Sequence, residues 1–183
     1  MNVFTNLGTE LLGHLAEYLE GNDIIKLVIC GNRQLEYMLI QGVRQLDCVL
    51  PRFASFPPVV FDFPRASKIV VQLRKHHLFY PLRLERHHVP PRPLQTLTKL
   101  VFNFGQCHRL LDDFSFAETS LPNLTELSLI GNCATALKPE HAQALPRKLV
   151  KFEFRALLGP IAVDPTFVSQ LPPGLTDLAM SIL

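Results

Sequence analysis

A short apolar signature, apolar-x-x-apolar-x-apolar, returns six times between residues 43 and 180 and constrains this chain more than any other feature. Its copies are Val43, Leu46, Cys48; Ala66, Ile69, Val71; Leu97, Leu100, Phe102; Leu124, Leu127, Leu129; Leu149, Phe152, Phe154; and Leu175, Leu178, Met180. The third positions lie 23, 31, 27, 25 and 26 residues apart, mostly within the range of about 20 to 29 in which each unit gives one strand to a stacked array. A unit of that size cannot bury its own apolar face, whereas stacked neighbours share a continuous core. The pattern predicts an α/β chain whose residues 43–183 form a repeat solenoid of about six strands with a curved parallel sheet.

The fourth copy is the best formed, because Leu124-Thr125-Glu126-Leu127-Ser128-Leu129-Ile130-Gly131-Asn132 fits LxxLxLxxN throughout. Asn132 is the candidate structural residue: at a turn after a strand, its amide can satisfy backbone groups that the stacking leaves unpaired. Leu-Pro pairs precede the last three strands, at Leu121-Pro122, Leu145-Pro146 and Leu171-Pro172. Proline ends a preceding helix and drives the chain into extended backbone, which fixes where each strand begins. Between these strands, Pro139 to Leu145 and Asp164 to Leu171 each open on a first-turn proline and offer one apolar face, so short helices are predicted there.

The rest of the composition narrows the class. Hydrophobic residues make up 48% and charged residues 19% of the chain, which suits a folded protein better than a disordered tail. No apolar run approaches the roughly 20 residues that a spanning helix needs, and the first 20 residues carry Glu10, Glu17 and Glu20 without a basic n-region. The reading is a cytoplasmic or nuclear address, with no membrane partner. Cys30, Cys48, Cys107 and Cys133 are scattered without a CxxC pair, which fits reduced, largely buried thiols.

Residues 1–42 have a different texture. Gly21, Gly31 and Gly42 each follow a helix-like apolar pattern, and glycine at helix C-termini implies a head of three helices. Thr9 is placed to cap the first helix, Asn22 precedes the second and Asn32 the third. The run Leu7-Gly8-Thr9-Glu10-Leu11-Leu12, followed by Leu15, Tyr18-Leu19, Asp23-Ile24, Leu27 and Cys30, resembles the F-box pattern, with Gly8 standing where that pattern has proline. With the repeats after it, nearly the whole chain resembles the F-box and leucine-rich-repeat proteins.

The resemblance implies a substrate-recognition subunit of a cullin-RING (SCF-type) ubiquitin ligase. Its head would bind a Skp-type adaptor through Leu7, Gly8, Leu11, Leu12, Leu15, Ile24 and Leu27, and its repeats would hold an unidentified target protein. Amphipathic leucine spacing alone fits a second reading equally well, in which the head only caps a stand-alone leucine-rich-repeat scaffold.

Strand side chains alternate faces, so the residues between the apolar ones form the partner-binding side expected to be concave. One row reads Gln45, Lys68, Lys99, Glu126, Lys151, Asp177; the next Asp47, Val70, Val101, Ser128, Glu153, Ala179; the third Val49, Gln72, Asn103, Ile130, Arg155, Ser181. The alternation Lys99, Glu126, Lys151, Asp177 sets opposite charges on neighbouring strands, a ladder that holds register whether or not it also docks a partner.

Other motifs carry less. His76-His77 and His87-His88 are adjacent pairs, and neighbours on a strand face opposite sides, so neither pair donates two ligands to one metal ion. Arg65, Lys68, Arg74, Lys75, Arg83, Arg86 and Arg92 make a local basic stretch around a proline-rich loop. That stretch is read as a solvated face, with weak binding of nucleic acid or anionic lipid as the alternative. A net charge of only +2 does not call for nucleic acid. Asp112-Asp113 reads as a polar start to a helical segment. Nothing resembles a nucleophile elbow, a phosphate-cradling loop or a zinc-protease helix, so the sequence predicts neither enzyme activity nor a cofactor. The last strand is followed by only three residues, which predicts an uncapped C-terminal end.

Overall fold

The second and third residues of each apolar triad become the inward face of one strand, and the first sits two residues ahead of it. The computed structural model describes residues 11, 14–15, 17–29, 32–50, 63–73, 93–106, 121–132, 137–156 and 161–182. Among them are six strands: β1 (Gln45–Leu50), β2 (Lys68–Leu73), β3 (Lys99–Gln106), β4 (Glu126–Asn132), β5 (Lys151–Ala156) and β6 (Asp177–Ile182). They form one parallel sheet in strict chain order, a solenoid-like arrangement.

Register follows the triads. Leu46, Ile69, Leu100, Leu127, Phe152 and Leu178 lie side by side, as do Cys48, Val71, Phe102, Leu129, Phe154 and Met180. From β1 to β5 none of these is more than 1% exposed. Fully burying a side chain of this kind contributes about 1.5–3 kcal/mol, and a one-residue slip would turn a whole row into solvent.

A turn sets up each strand from β2 onward. The carbonyls of Phe63, Leu94 and Leu121 accept from the N–H groups of Ala66, Leu97 and Leu124 at 3.1, 3.3 and 3.3 Å. In the last two repeats the turn keeps its place before the strand while the Leu-Pro pair sits one residue earlier, so Pro146 and Pro172 accept from Leu149 and Leu175 at 3.0 Å. The leucine of each predicted Leu-Pro pair is thus part of the packing as well as a marker, Leu121 and Leu145 being buried. Phe63-Pro64 and Leu94-Gln95 are its unforeseen equivalents.

Just before each strand runs a line of shared carbonyls. Arg44, Ser67, Thr98, Thr125 and Val150 each accept two backbone N–H groups from the next repeat, for example Thr125 and Glu126 on Thr98, both at 2.9 Å. The hydroxyls of Ser67, Thr98 and Thr125 add a third bond of 3.2, 3.1 and 3.1 Å to the same acceptors. Val150 interrupts this hydroxyl line, and Thr176 resumes it at 3.5 Å on the Val150 carbonyl.

Four helices complete the described fold: α1 (Gly21–Ile29), α2 (Arg33–Gly42), α3 (Pro139–Gln143) and α4 (Pro165–Ser169). The two predicted wall helices are present, each with proline in its first turn. Asp164 caps α4, its carboxylate accepting from the Thr166 hydroxyl at 2.5 Å and from the Thr166 N–H at 2.8 Å, and those bonds hold it below the ordinary carboxylate range. A single parallel rung, Leu137 with Val163, joins the segments that lead into α3 and α4. Ala142 and Phe167 anchor these helices in the core.

Of the expected three-helix head, the described residues show α1 and α2 in full, and Asn22 lies inside α1 rather than before it. α2 is capped as predicted, with the Asn32 side chain accepting from the Leu35 N–H at 3.1 Å. Gly21, however, opens α1 rather than closing a helix before it. A Cβ there would sit 2.0 Å from the Asp47 carbonyl oxygen, so glycine is required by close approach of helix and strand. Of the first predicted helix, the described residues include helical backbone at Leu11, His14 and Leu15. Thr9, Cys30 and Gly31 lie outside the described residues, as do His76-His77, His87-His88, Asp112-Asp113 and the basic residues Arg74 to Arg92. The side chain of Asn132, at the end of β4, lies outside them too.

Candidate binding surface

The side of the sheet opposite the core presents the three predicted rows in register: Gln45, Lys68, Lys99, Glu126, Lys151 and Asp177 along one line, with the other two beside it. Because buried inward neighbours fix β1 to β5, the side chains there stand on a rigid platform, which lowers the ordering cost of binding. Val70, Val101 and Ile130 are half-buried within it and flanked by charged and amide groups.

Charges on this face are largely paired with one another. Lys99 Nζ lies 2.6 Å from Glu126 Oε2, and Lys151 Nζ lies 2.8 Å from Asp177 Oδ2. The Asp177 carboxylate, through its hydrogen bond and its charge, holds the Lys151 ammonium above its ordinary value. Glu153 is shared: it accepts the Ser128 hydroxyl at 2.6 Å and pairs with the Arg155 guanidinium. Gln72 donates to Asp47 at 3.2 Å. Lys68 sits between Gln45 and Lys99 without an acid in its row beside it. Exposed pairs of this kind are screened by solvent and add little to stability, so they serve register and surface chemistry more.

Where the head meets the sheet, a cleft of about 650 Å³ opens between Glu17–Ile24 and the outward side chains of β1 and β2, including Asp47, Lys68 and Gln72. One wall of that cleft is an edge seal. The Asn22 side chain accepts from the Val49 N–H at 3.0 Å, and its amide nitrogen donates back to the Val49 carbonyl. With Gly21 against Asp47, these contacts close the free edge of β1. In the sequence Asn22 is a helix-start signal. The 27-residue separation of the two partners gives no local trace that could have revealed the seal.

The residues predicted to meet an adaptor are distributed unevenly. Leu11 and Leu15 are 50% and 41% exposed, and Tyr18 and Leu19 extend that apolar surface. Ile24 is 1% exposed inside the core, so it has no surface to offer a second protein. Leu27 is half-buried against the same core. Leu7, Gly8 and Leu12 lie outside the described residues. Among the described residues no three His, Cys, Asp or Glu side chains gather as a metal site, and no helix is long and apolar enough to cross a membrane. In comparisons with known proteins, no family model matches this chain, and neither a curated protein nor a solved structure does.

Proposed function

We propose that this chain is a protein-interaction module of leucine-rich-repeat type, with the outward face of its sheet as the docking surface and its helical head as the cap at the β1 end. The observation that carries the reading is the face itself: three in-register rows of polar, charged and half-buried apolar side chains on a platform whose inward rows are fully packed from β1 to β5. Replacing Val70 and Val101 by Glu puts unpaired charge at the centre of that platform without touching the core. Proteins captured from lysate by the wild-type chain, and released by the double variant with unchanged circular dichroism, support the proposal. An identical captured set argues against it.

The narrower reading, a substrate-recognition subunit of a cullin-RING ligase, rests on the F-box resemblance and on exposed Leu11 and Leu15. Titration of the purified chain with a Skp-type adaptor tests it. Micromolar binding that is lost in Leu11→Asp/Leu15→Asp supports the ligase assignment; no heat with wild type leaves the scaffold reading alone.

A further inference from the structure

The two ends of the sheet are treated differently. At β1 the outward-pointing N–H and C=O of Val49 are engaged by the Asn22 side chain of the head, and Gly21 packs closely against Asp47. At β6 no described residue performs this task. Asp177 points its N–H at Val150 of the preceding repeat, so by strand alternation Ala179 and Ser181 also face β5, while Leu178, Met180 and Ile182 direct their N–H and C=O groups outward. The core-facing side chains on this strand are open as well: Leu178 and Met180 are each 36% exposed, against 1% or less for every equivalent on β1 to β5. Val168 of α4, 53% exposed, lies in the same terminal unit.

We propose that a second copy of this chain covers that edge, its β6 pairing antiparallel with β6 about a two-fold axis through Ala179. Three features favour a second copy arranged this way. The β1 edge is sealed, so a head-to-tail stack of copies finds no acceptor strand, whereas two β6 edges meet isologously and close. An axis at Ala179 sets Leu178 opposite Met180 of the second copy, and Met180 opposite its Leu178. All four side chains then lie on the core side, and both residues are ones whose backbone groups point outward, as a hydrogen-bonded antiparallel pair requires. Charge is compatible: Asp177 is the only charged residue of β6, is already paired with Lys151, and falls opposite Ser181 rather than opposite its own copy. The product is a continuous sheet twice as wide, with the apolar faces of both halves on one side.

Sedimentation of the full chain across micromolar concentrations tests the proposal directly. Wild type is expected at twice the 20.7 kDa chain mass, with the Leu178 and Met180 amides gaining hydrogen-exchange protection as concentration rises. Met180→Lys is expected as a monomer with an unchanged circular dichroism spectrum. Ala179→Cys, which places two thiols across the axis, is expected to oxidise to a covalent dimer that keeps the wild-type spectrum. A wild-type monomer at every concentration overturns the proposal, whether the edge amides are then free or covered by another part of the chain. A dimer that survives Met180→Lys, or an Ala179→Cys chain that fails to cross-link, overturns it equally.

Discussion

At the scale of single residues, the most demanding position is Gly21. Alanine favours a helix over glycine by at most about 1 kcal/mol, but a Cβ 2.0 Å from a backbone oxygen cannot be relieved by a side-chain rotation. Overpacking of that kind costs about 1–3 kcal/mol, so Gly21→Ala is expected to lower stability by about 2 kcal/mol net, measured by urea denaturation. Equal or higher stability would place the helix farther from β1. Cys48 is constrained differently. Burial, with the Asp47 carboxylate beside it, pushes its thiol from 9.0 up to about 12, so almost no thiolate forms near neutral pH. Mass-mapped alkylation should leave Cys48 unmodified in the native chain and label it fully in denaturant; native labelling within minutes would contradict its burial.

At the scale of elements, strand positions were legible in the sequence because an inward row has a period of two and each unit repeats at similar spacing. The second and third residues of all six triads fall on strands in the register that the triads imply, and the first residue of each lies two positions before its strand. The wall helices were legible from proline at their first turn. What escaped were bonds that join one repeat to the next at 23 to 31 residues' separation, such as Ser67 on Arg44, Thr98 on Ser67 and Thr125 on Thr98, since the chemical logic of a hydroxyl there depends on a carbonyl one strand away. The interrupted rung gives a test. Val150 and threonine are close in shape, and Val150 is 42% exposed, so Val150→Thr loses little burial and adds a donor to the Thr125 carbonyl. A net hydrogen bond contributes about 0.5–1.5 kcal/mol, and a stabilisation of about 0.5 kcal/mol in denaturant unfolding is expected. A loss of stability would mean that the methyl group removed matters more than the bond gained.

At the scale of the whole molecule, the boundary drawn in the sequence between head and repeats does not coincide with a break in packing. Ile24, Ile25 and Val28 of α1 belong to the same buried cluster that runs through Leu46, Ile69 and Phe102 to Phe154 and Phe167. An array in which each unit contacts only its neighbours transmits stability through shared interfaces, so the head acts as the first interface of the stack as well as the seal on β1. Truncating a buried isoleucine costs about 2–5 kcal/mol. If head and sheet unfold together, Ile24→Ala shifts one transition: far-UV circular dichroism, which reports the sheet, and the labelling of Cys48 on the core face of β1 move to the same lower denaturant midpoint. If the head is an independent unit, the variant instead exposes Cys48 at low denaturant while the sheet signal keeps its original midpoint. The continuous cluster predicts the first result, because removing Ile24 opens a cavity beside the row to which Leu46 and Cys48 belong, and each later row is packed against the one before it.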